Sequence, residues 1–253
     1  MKIRVTSTTN LIAFLKKLKV VDRSVLLELT KNKLFSKVHT PDKSVMKYAS
    51  INISEIFDEI KGIDDIHGDR IKIGLMDIGK FIDCFKHFRT EEEIFLDLKL
   101  YEGEDGTITS ELKVISNSLK IRIRCADLSL LSYVDDEVLK IVHSKEAPMG
   151  KFKIYNSDFA AVVSLCGLET NSEELLVCRI NSKDVRITGD SFDYKLNINS
   201  NEITTSSDMD VSIYKSHLNY VDSESSDCYI HENRIIFFSE QSETSTAVGV
   251  IEE

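Results

Sequence analysis

Proline is almost missing from this 253-residue chain, which has only Pro41 and Pro148, and glycine is sparse at 10 residues. Long apolar runs are missing too. None approaches the roughly 18 to 20 residues that a bilayer-spanning helix needs. The N-terminus, Met1-Lys2-Ile3-Arg4-Val5, interleaves charged and apolar residues as a strand does and lacks the apolar core of a signal peptide. Cys84, Cys125, Cys166, Cys178 and Cys228 are odd in number, scattered and never spaced C-x-x-C. That argues against a disulfide framework or a zinc site and for buried thiols in a reducing cytoplasm.

Enzyme signatures are absent: no G-x-G-x-x-G, no G-x-x-x-x-G-K-[ST], no H-E-x-x-H and no G-x-S-x-G occurs. The six histidines lie far apart, and none sits at metal-ligand spacing. Asp64-Asp65-Ile66-His67-Gly68-Asp69 offers carboxylates and an imidazole but misses the Ca²⁺-loop spacing, so it reads as a solvated acidic loop. Glu91-Glu92-Glu93 reads as a solvated turn, and Cys84 and Cys166 as core thiols beside apolar helix faces.

What is present is ordinary for a soluble globular chain: 42% apolar and 29% charged residues, enough for one large domain or two of usual size. The net charge of −10 is unevenly spread. Residues 1–150 hold 24 basic and 24 acidic side chains, whereas residues 151–253 hold 8 and 18. Such a balance excludes a protein that coats DNA with its whole surface, and it leaves room for a basic stripe on an acidic body.

Short strand patterns dominate. Leu26-Leu27-Glu28-Leu29, Leu34 to His39 and Val45 to Ile53 are separated by Thr30-Lys31-Asn32-Lys33 and Thr40-Pro41-Asp42-Lys43, which read as hairpin turns. Phe95 to Tyr101 and Thr107 to Val114 flank Glu104-Asp105-Gly106, a hairpin signal because Asp-Gly tolerates positive φ. Leu119 to Arg124 alternates as a half-buried strand should. Four segments carry helical spacing instead: Leu11, Phe14, Leu15 and Leu18; Ile78, Phe81, Ile82 and Phe85; Phe159, Val162, Val163 and Cys166; and Tyr214, Leu218 and Val221. Each is about three turns long, too short to stand alone, and so must lie on a sheet.

The pattern repeats. Lys2-Ile3-Arg4-Val5, a helix and Leu26-Leu27-Glu28-Leu29 recur at an offset of 149 residues as Lys151-Phe152-Lys153-Ile154, a helix and Leu175-Leu176-Val177-Cys178. A second strand–helix–strands unit follows in each copy, beginning near Lys72 and near Val211. The chain therefore reads as α+β, with two similar domains at 1–126 and 151–253. Each is a double β-α-β-β-β unit, and an irregular connector spans 127–150.

In this order and spacing the chain resembles the sliding-clamp family, most closely tailed-bacteriophage clamps of the proliferating-cell-nuclear-antigen type. The likeness is carried by Leu34-Phe35-Ser36-Lys37-Val38, Ala49-Ser50-Ile51-Asn52-Ile53 and Gly74-Leu75-Met76-Asp77-Ile78-Gly79-Lys80-Phe81. In the second copy it is carried by Asn156-Ser157-Asp158-Phe159 and Val185-Arg186-Ile187-Thr188-Gly189. The resemblance implies the DNA-clamp (processivity) fold, no enzymatic activity and no cofactor or metal. It implies a homotrimeric ring with helices lining a hole for duplex DNA, an ATP-driven clamp loader, and a replicative polymerase docked near the connector. The setting it implies is the cytoplasm of an infected bacterial host.

The residues fit that expectation in part. Opposite the apolar stripes, or at the helix ends, sit Lys16, Lys17, Lys19, Lys80, Lys86, Arg89 and Lys215, a layout suited to phosphate attraction without base reading. The third helix departs from it with the neutral Ala160, Ala161 and Ser164. The plainer reading of such lysines is a solvated helix face. In the connector, Leu128, Leu130, Leu131 and Tyr133 are large and apolar. With Val248 and Val250 of the C-terminal tail they are candidates for a pocket that takes a partner's hydrophobic peptide, against the plainer reading that both segments pack on the sheets. The resemblance further implies a subunit contact between the basic edge strand with Lys120, Arg122 and Arg124 and the strand Phe192 to Ile198, with Asp190 and Asp193 opposite. A monomeric processivity factor and a clamp-fold interaction scaffold without DNA encirclement are the rival readings.

Overall fold

The computed structural model describes all residues except 59, 61, 64, 65, 67, 68, 105, 132, 169–173 and 252–253. Asp64, Asp65, His67 and Gly68 of the acidic loop, and Asp105 of the hairpin signal, therefore lie outside the described residues. The chain divides into two compact units, residues 1–39 with 48–135 and residues 40–47 with 136–253. The division differs from contiguous domains: the hairpin turn at 40–47 groups with the second unit, and the connector is shared between them.

The first unit runs β1 (Lys2–Val5), α1 (Thr8–Lys19), β2 (Val25–Leu29), β3 (Lys33–His39), β4 (Val45–Asn52, whose first three residues group with the second unit), β5 (Ile71–Leu75), α2 (Ile78–Cys84), β6 (Ile94–Gly103), β7 (Gly106–Ile115) and β8 (Lys120–Arg124). Its strands are ordered β1-β6-β7-β5-β2-β3-β4, with β8 beside β7, and β5 and β7 run parallel. The helices form where the apolar spacing predicts. Leu11, Phe14, Leu15 and Leu18 of α1 are buried, as are Ile78, Phe81 and Ile82 of α2 and Phe85 in the 3-10 turn that continues it. Ser7 caps α1 by accepting from the Asn10 amide at 3.2 Å, and Asp77 caps α2 by accepting from the Lys80 amide at 3.1 Å. Leu11 and Phe81 meet Ile3, Leu27, Ile73, Leu96 and Leu112 from the strands, so one sheet face and two helix stripes share one core.

The second unit runs α3 (Asp136–Val142), β9 (Gly150–Ile154), α4 (Asn156–Cys166), β10 (Leu175–Ile180), β11 (Val185–Thr188), β12 (Asp193–Lys195), β13 (Thr204–Thr205), β14 (Met209–Tyr214), β15 (Ser226–His231), β16 (Arg234–Ser239) and β17 (Thr244–Gly249). One sheet orders as β17-β16-β15-β9-β13 and another as β12-β11-β10-β14. Phe159, Val162 and Cys166 of α4 pack with Phe152, Leu176, Ile213 and Phe237.

Three expectations change. The fourth helical segment is a 3-10 turn over Lys215–Tyr220, a short i→i+3 piece whose Leu218 is buried in the second unit's core. The strand expected over 192–198 pairs only at Asp193–Lys195. Leu196 turns into the core, and its amide still donates to the Val185 carbonyl at 3.0 Å. The connector is partly regular, with a 3-10 turn at Leu128–Leu130 followed by α3. Desolvation pushes the partly buried Cys125 thiol up to about 11 and the buried Cys178 thiol up to about 12.

Candidate nucleic-acid interface

In the first unit, α1 and α2 lie against each other, and their exposed sides carry the charge. Lys16, Lys17 and Lys19 fall in the last turn of α1, where cations complement the helix dipole. Lys19 crosses close to α2: a Cβ on Gly79 would meet its Cε at 3.2 Å and its Nζ at 3.3 Å. The end of the α1 lysine therefore lies over the start of α2. Lys16, Lys19, Lys80, Lys86, His87 and Arg89 are exposed, and Lys17 is half-buried.

Acidic residues interrupt this surface. Asp77 accepts from Arg23 Nη2 at 2.7 Å, and Asp83 pairs with Lys86 at 2.6 Å. Both carboxyls are held below the usual range, Asp77 first by the Lys80 amide and then by Arg23, and Asp83 by Lys86 with Lys19 further off. Lys16 and Lys80 enter no ion pair among the described residues. The arrangement can attract phosphates without reading bases.

The second unit does not repeat it. The outer side of α4 is Asn156, Ser157, Ala160 and Ser164. Lys215, expected on a DNA-facing helix side, is buried: its side chain is 10% exposed and its Nζ lies 3.3 Å from Glu174 Oε2. The correction has a simple cause. Lys215 opens a 3-10 turn directly at the end of β14, where its amide donates to the Glu174 carbonyl at 3.0 Å and its ammonium closes onto the same residue's carboxylate.

The apolar connector set is also divided. Leu128 and Leu131 are buried beside Leu26 and Ile108, so they seat the connector on the first unit. The seat depends on Gly74, where a Cβ would come within 2.9 Å of both the Ala126 carbonyl and Leu131 Cδ1. Leu130 and Tyr133 stay 68% and 42% exposed and are the members free to touch a partner. Val248 is fully buried and Val250 partly, both packed in the second unit's core. Val248 lies within β17 and Val250 just past its end. At the proposed subunit edges, Lys120, Arg122 and Arg124 are exposed along β8, and Asp190 is exposed beyond β11. Asp193 on β12 is already held by Arg186 at 2.7 Å.

Among the described residues no group of three or more His, Cys, Asp or Glu is placed to hold a metal, and no helix is long and apolar enough to cross a membrane. Sequence reasoning missed α3 and the histidines that surround it. A single turn of apolar residues after an acidic run gave no periodic signal.

No protein-family model and no curated protein matches the sequence. Solved structures do. The PCNA of A. fulgidus, in a structure with the C-terminal region of FEN-1 bound, superposes with a TM-score of 0.70 at 13% identity, over 100% of both chains. The proliferating cellular nuclear antigen of Entamoeba histolytica gives 0.69 at 9% identity, over 99% of this chain and 98% of that one. The H. pylori beta clamp, in complex with 5-chloroisatin, gives 0.69 at 15% identity, and this chain spans 64% of its length. The chain has the sliding-clamp fold.

Proposed function

We propose that this chain is a DNA polymerase processivity factor, one subunit of a homotrimeric ring that encircles duplex DNA and tethers the replicative polymerase. The reading rests on one conjunction. A sliding-clamp fold over the whole chain carries exposed lysines on two helices of an otherwise acidic protein. The mechanism is topological: a closed ring cannot leave DNA sideways, so its affinity can stay low and sliding fast. An ATP-driven loader opens the ring in this reading. The sequence resemblance supports a bacteriophage origin and an infected bacterial cytoplasm as the setting.

The edges supply a route to closure. β8 is a basic edge strand and β12 an edge strand of a net acidic unit. A basic edge meeting an acidic one is a head-to-tail contact that can close into a ring. Because Asp193 is engaged by Arg186, Asp190 is the carboxylate left for Arg122 or Arg124. Leu130 and Tyr133 receive the polymerase's hydrophobic peptide in the same reading.

Replacing Lys16, Lys17, Lys80 and Lys86 by Ala tests the DNA face. Folding stability should change by no more than about 0.5 kcal/mol per site. The salt dependence of DNA binding should become shallower by roughly one unit per lysine. A variant that supports processive synthesis like the parent at every salt concentration would refute the assignment. Light scattering tests the ring: a monomer at micromolar concentration in low salt favours the monomeric rival. Folded monomers from Arg122→Glu with Arg124→Glu support the edge contact. Retention on circular but not linear DNA separates a clamp from a scaffold.

A further inference from the structure

The basic face of the first unit contains a carboxylate that its own helix does not need. α2 and the 3-10 turn that continues it show solvent a row at three-residue spacing, Lys80, Asp83 and Lys86. The charges along it run plus, minus, plus. Asp83 Oδ1 lies 2.6 Å from Lys86 Nζ, and both side chains are well exposed. Lys86 and, from further off, Lys19 of α1 lower the Asp83 carboxyl, so it stays ionised beside them.

The two aspartates of this surface differ in what they do for the fold. Asp77 caps α2 through the Lys80 amide, holds Arg23 at 2.7 Å and is only 18% exposed, so the fold accounts for it. Among the described residues the Asp83 side chain caps no helix. It stands in the last turn of α2, where a carboxylate meets the negative end of the helix dipole, and aspartate is a weak helix former. An exposed i,i+3 pair with Lys86 returns little of that cost. A residue that local folding disfavours, set in the middle of a cationic row, marks a functional position.

Phosphate and Asp83 compete for the same ammonium. A duplex that takes Lys86 must break a 2.6 Å ion pair, and its phosphates pass a fixed negative charge between Lys80 and Lys86. We propose that Asp83 sets the affinity of the DNA face, as a built-in competitor that keeps part of the Lys86 charge from DNA phosphate. The proposal rests on the DNA-facing reading above and adds what limits the hold. A loose hold suits a ring whose grip is topological, because each further phosphate neutralised tightens binding.

The test uses the full chain and a fluorescein-labelled linear duplex, with binding followed by anisotropy over a range of salt concentrations. Asp83→Asn should bind about five- to tenfold more tightly at ~0.1 M salt, with a salt slope steeper by about one. Adding Lys86→Ala to Asp83→Asn should remove most of that gain, since the gain is the released ammonium. Asp83→Glu, which restores a carboxylate, should show only a small part of it. Thermal unfolding of Asp83→Asn should match the parent, because the fold does not draw on this carboxylate. Parent-like affinity of Asp83→Asn, an equal gain with and without Lys86, or a marked loss of thermal stability each overturns the proposal. In those cases Lys16→Ala still weakens binding and the DNA face stands. If Lys16→Ala and Lys80→Ala bind DNA as the parent does, the DNA face falls and this inference falls with it.

Discussion

The two units repeat one order of elements but differ in the lysines of their helical segments. On α1 and α2 of the first unit, lysines point to solvent at the ends of capped helices. In the second unit Lys47 is completely buried, donating to Asp222 at 2.6 Å and to the Tyr220 carbonyl at 2.9 Å, and Lys215 is closed against Glu174. The helix α4 that corresponds to α1 has no basic residue on its outer side. The difference teaches that a repeat conserves what the core needs, the apolar stripe, while charge is free to diverge. Binding and folding can then be separated by mutation, unit by unit.

The largest expected effect breaks the second unit through its buried lysine. Lys47→Met removes the ammonium that pairs with Asp222 in a largely closed site and should cost about 3 to 5 kcal/mol. Lys16→Ala on α1 should cost no more than about 0.5 kcal/mol. Urea unfolding of the two variants reads the contrast directly. Similar losses in both would erase the distinction between structural and surface lysines.

Acid should separate the units next. Burial pushes His143 down to about 4, with Arg234 nearby adding to the effect, and burial lowers His217 and His231 as well. Asp42 partly opposes the shift at His217. A histidine depressed in the fold stabilises it above its ordinary value of about 6.5 and loses that contribution as pH falls towards the folded value. For His143 the loss between about pH 6.5 and 4 is at most about 3 kcal/mol. The first unit's described histidines, His39 and His87, are not buried. Hydrogen exchange followed from pH 7 to 4.5, corrected for the intrinsic rate, should show protection falling in residues 136–253 before 1–39. Parallel loss in both would contradict the assignment.

Two glycines give the smallest effects. Gly74→Ala drives a methyl to 2.9 Å from the Ala126 carbonyl and Leu131, and should cost about 1 to 3 kcal/mol while loosening the connector seat. Gly150→Ala in the second unit meets only side-chain atoms of Ile230 and Met209 at 3.5 Å. It should stay within about 0.5 kcal/mol of the parent or gain slightly. Thermal unfolding of the pair would sharpen the comparison, and a reversed order would show that the connector is not held at Gly74.

Much of this fold is legible in the chain because its signals are local and periodic. The stripes at Leu11, Phe14, Leu15 and Leu18 and at Phe159, Val162 and Cys166 specify helices, and the alternation from Leu119 to Arg124 specifies an edge strand. The site was less legible. Lysine spacing finds Lys16 and Lys80, yet it treats Lys215 as their equal, because sequence shows a charge and not the turn that buries it. Nor could spacing divide Leu128 and Leu131 from Leu130, since burial there depends on an approach to Gly74 some fifty residues away.

The sequence by itself determined the repeat, the helix stripes and the acidity of the second half. Each depends on neighbours within a few turns or on plain composition. Only the tertiary structure decided which lysines are solvated, that Val248 belongs to a core and that Arg234 grips the connector from 92 residues away. Desolvation and hydrogen-bond pairing are properties of groups brought together in space, and no local pattern in a chain encodes them.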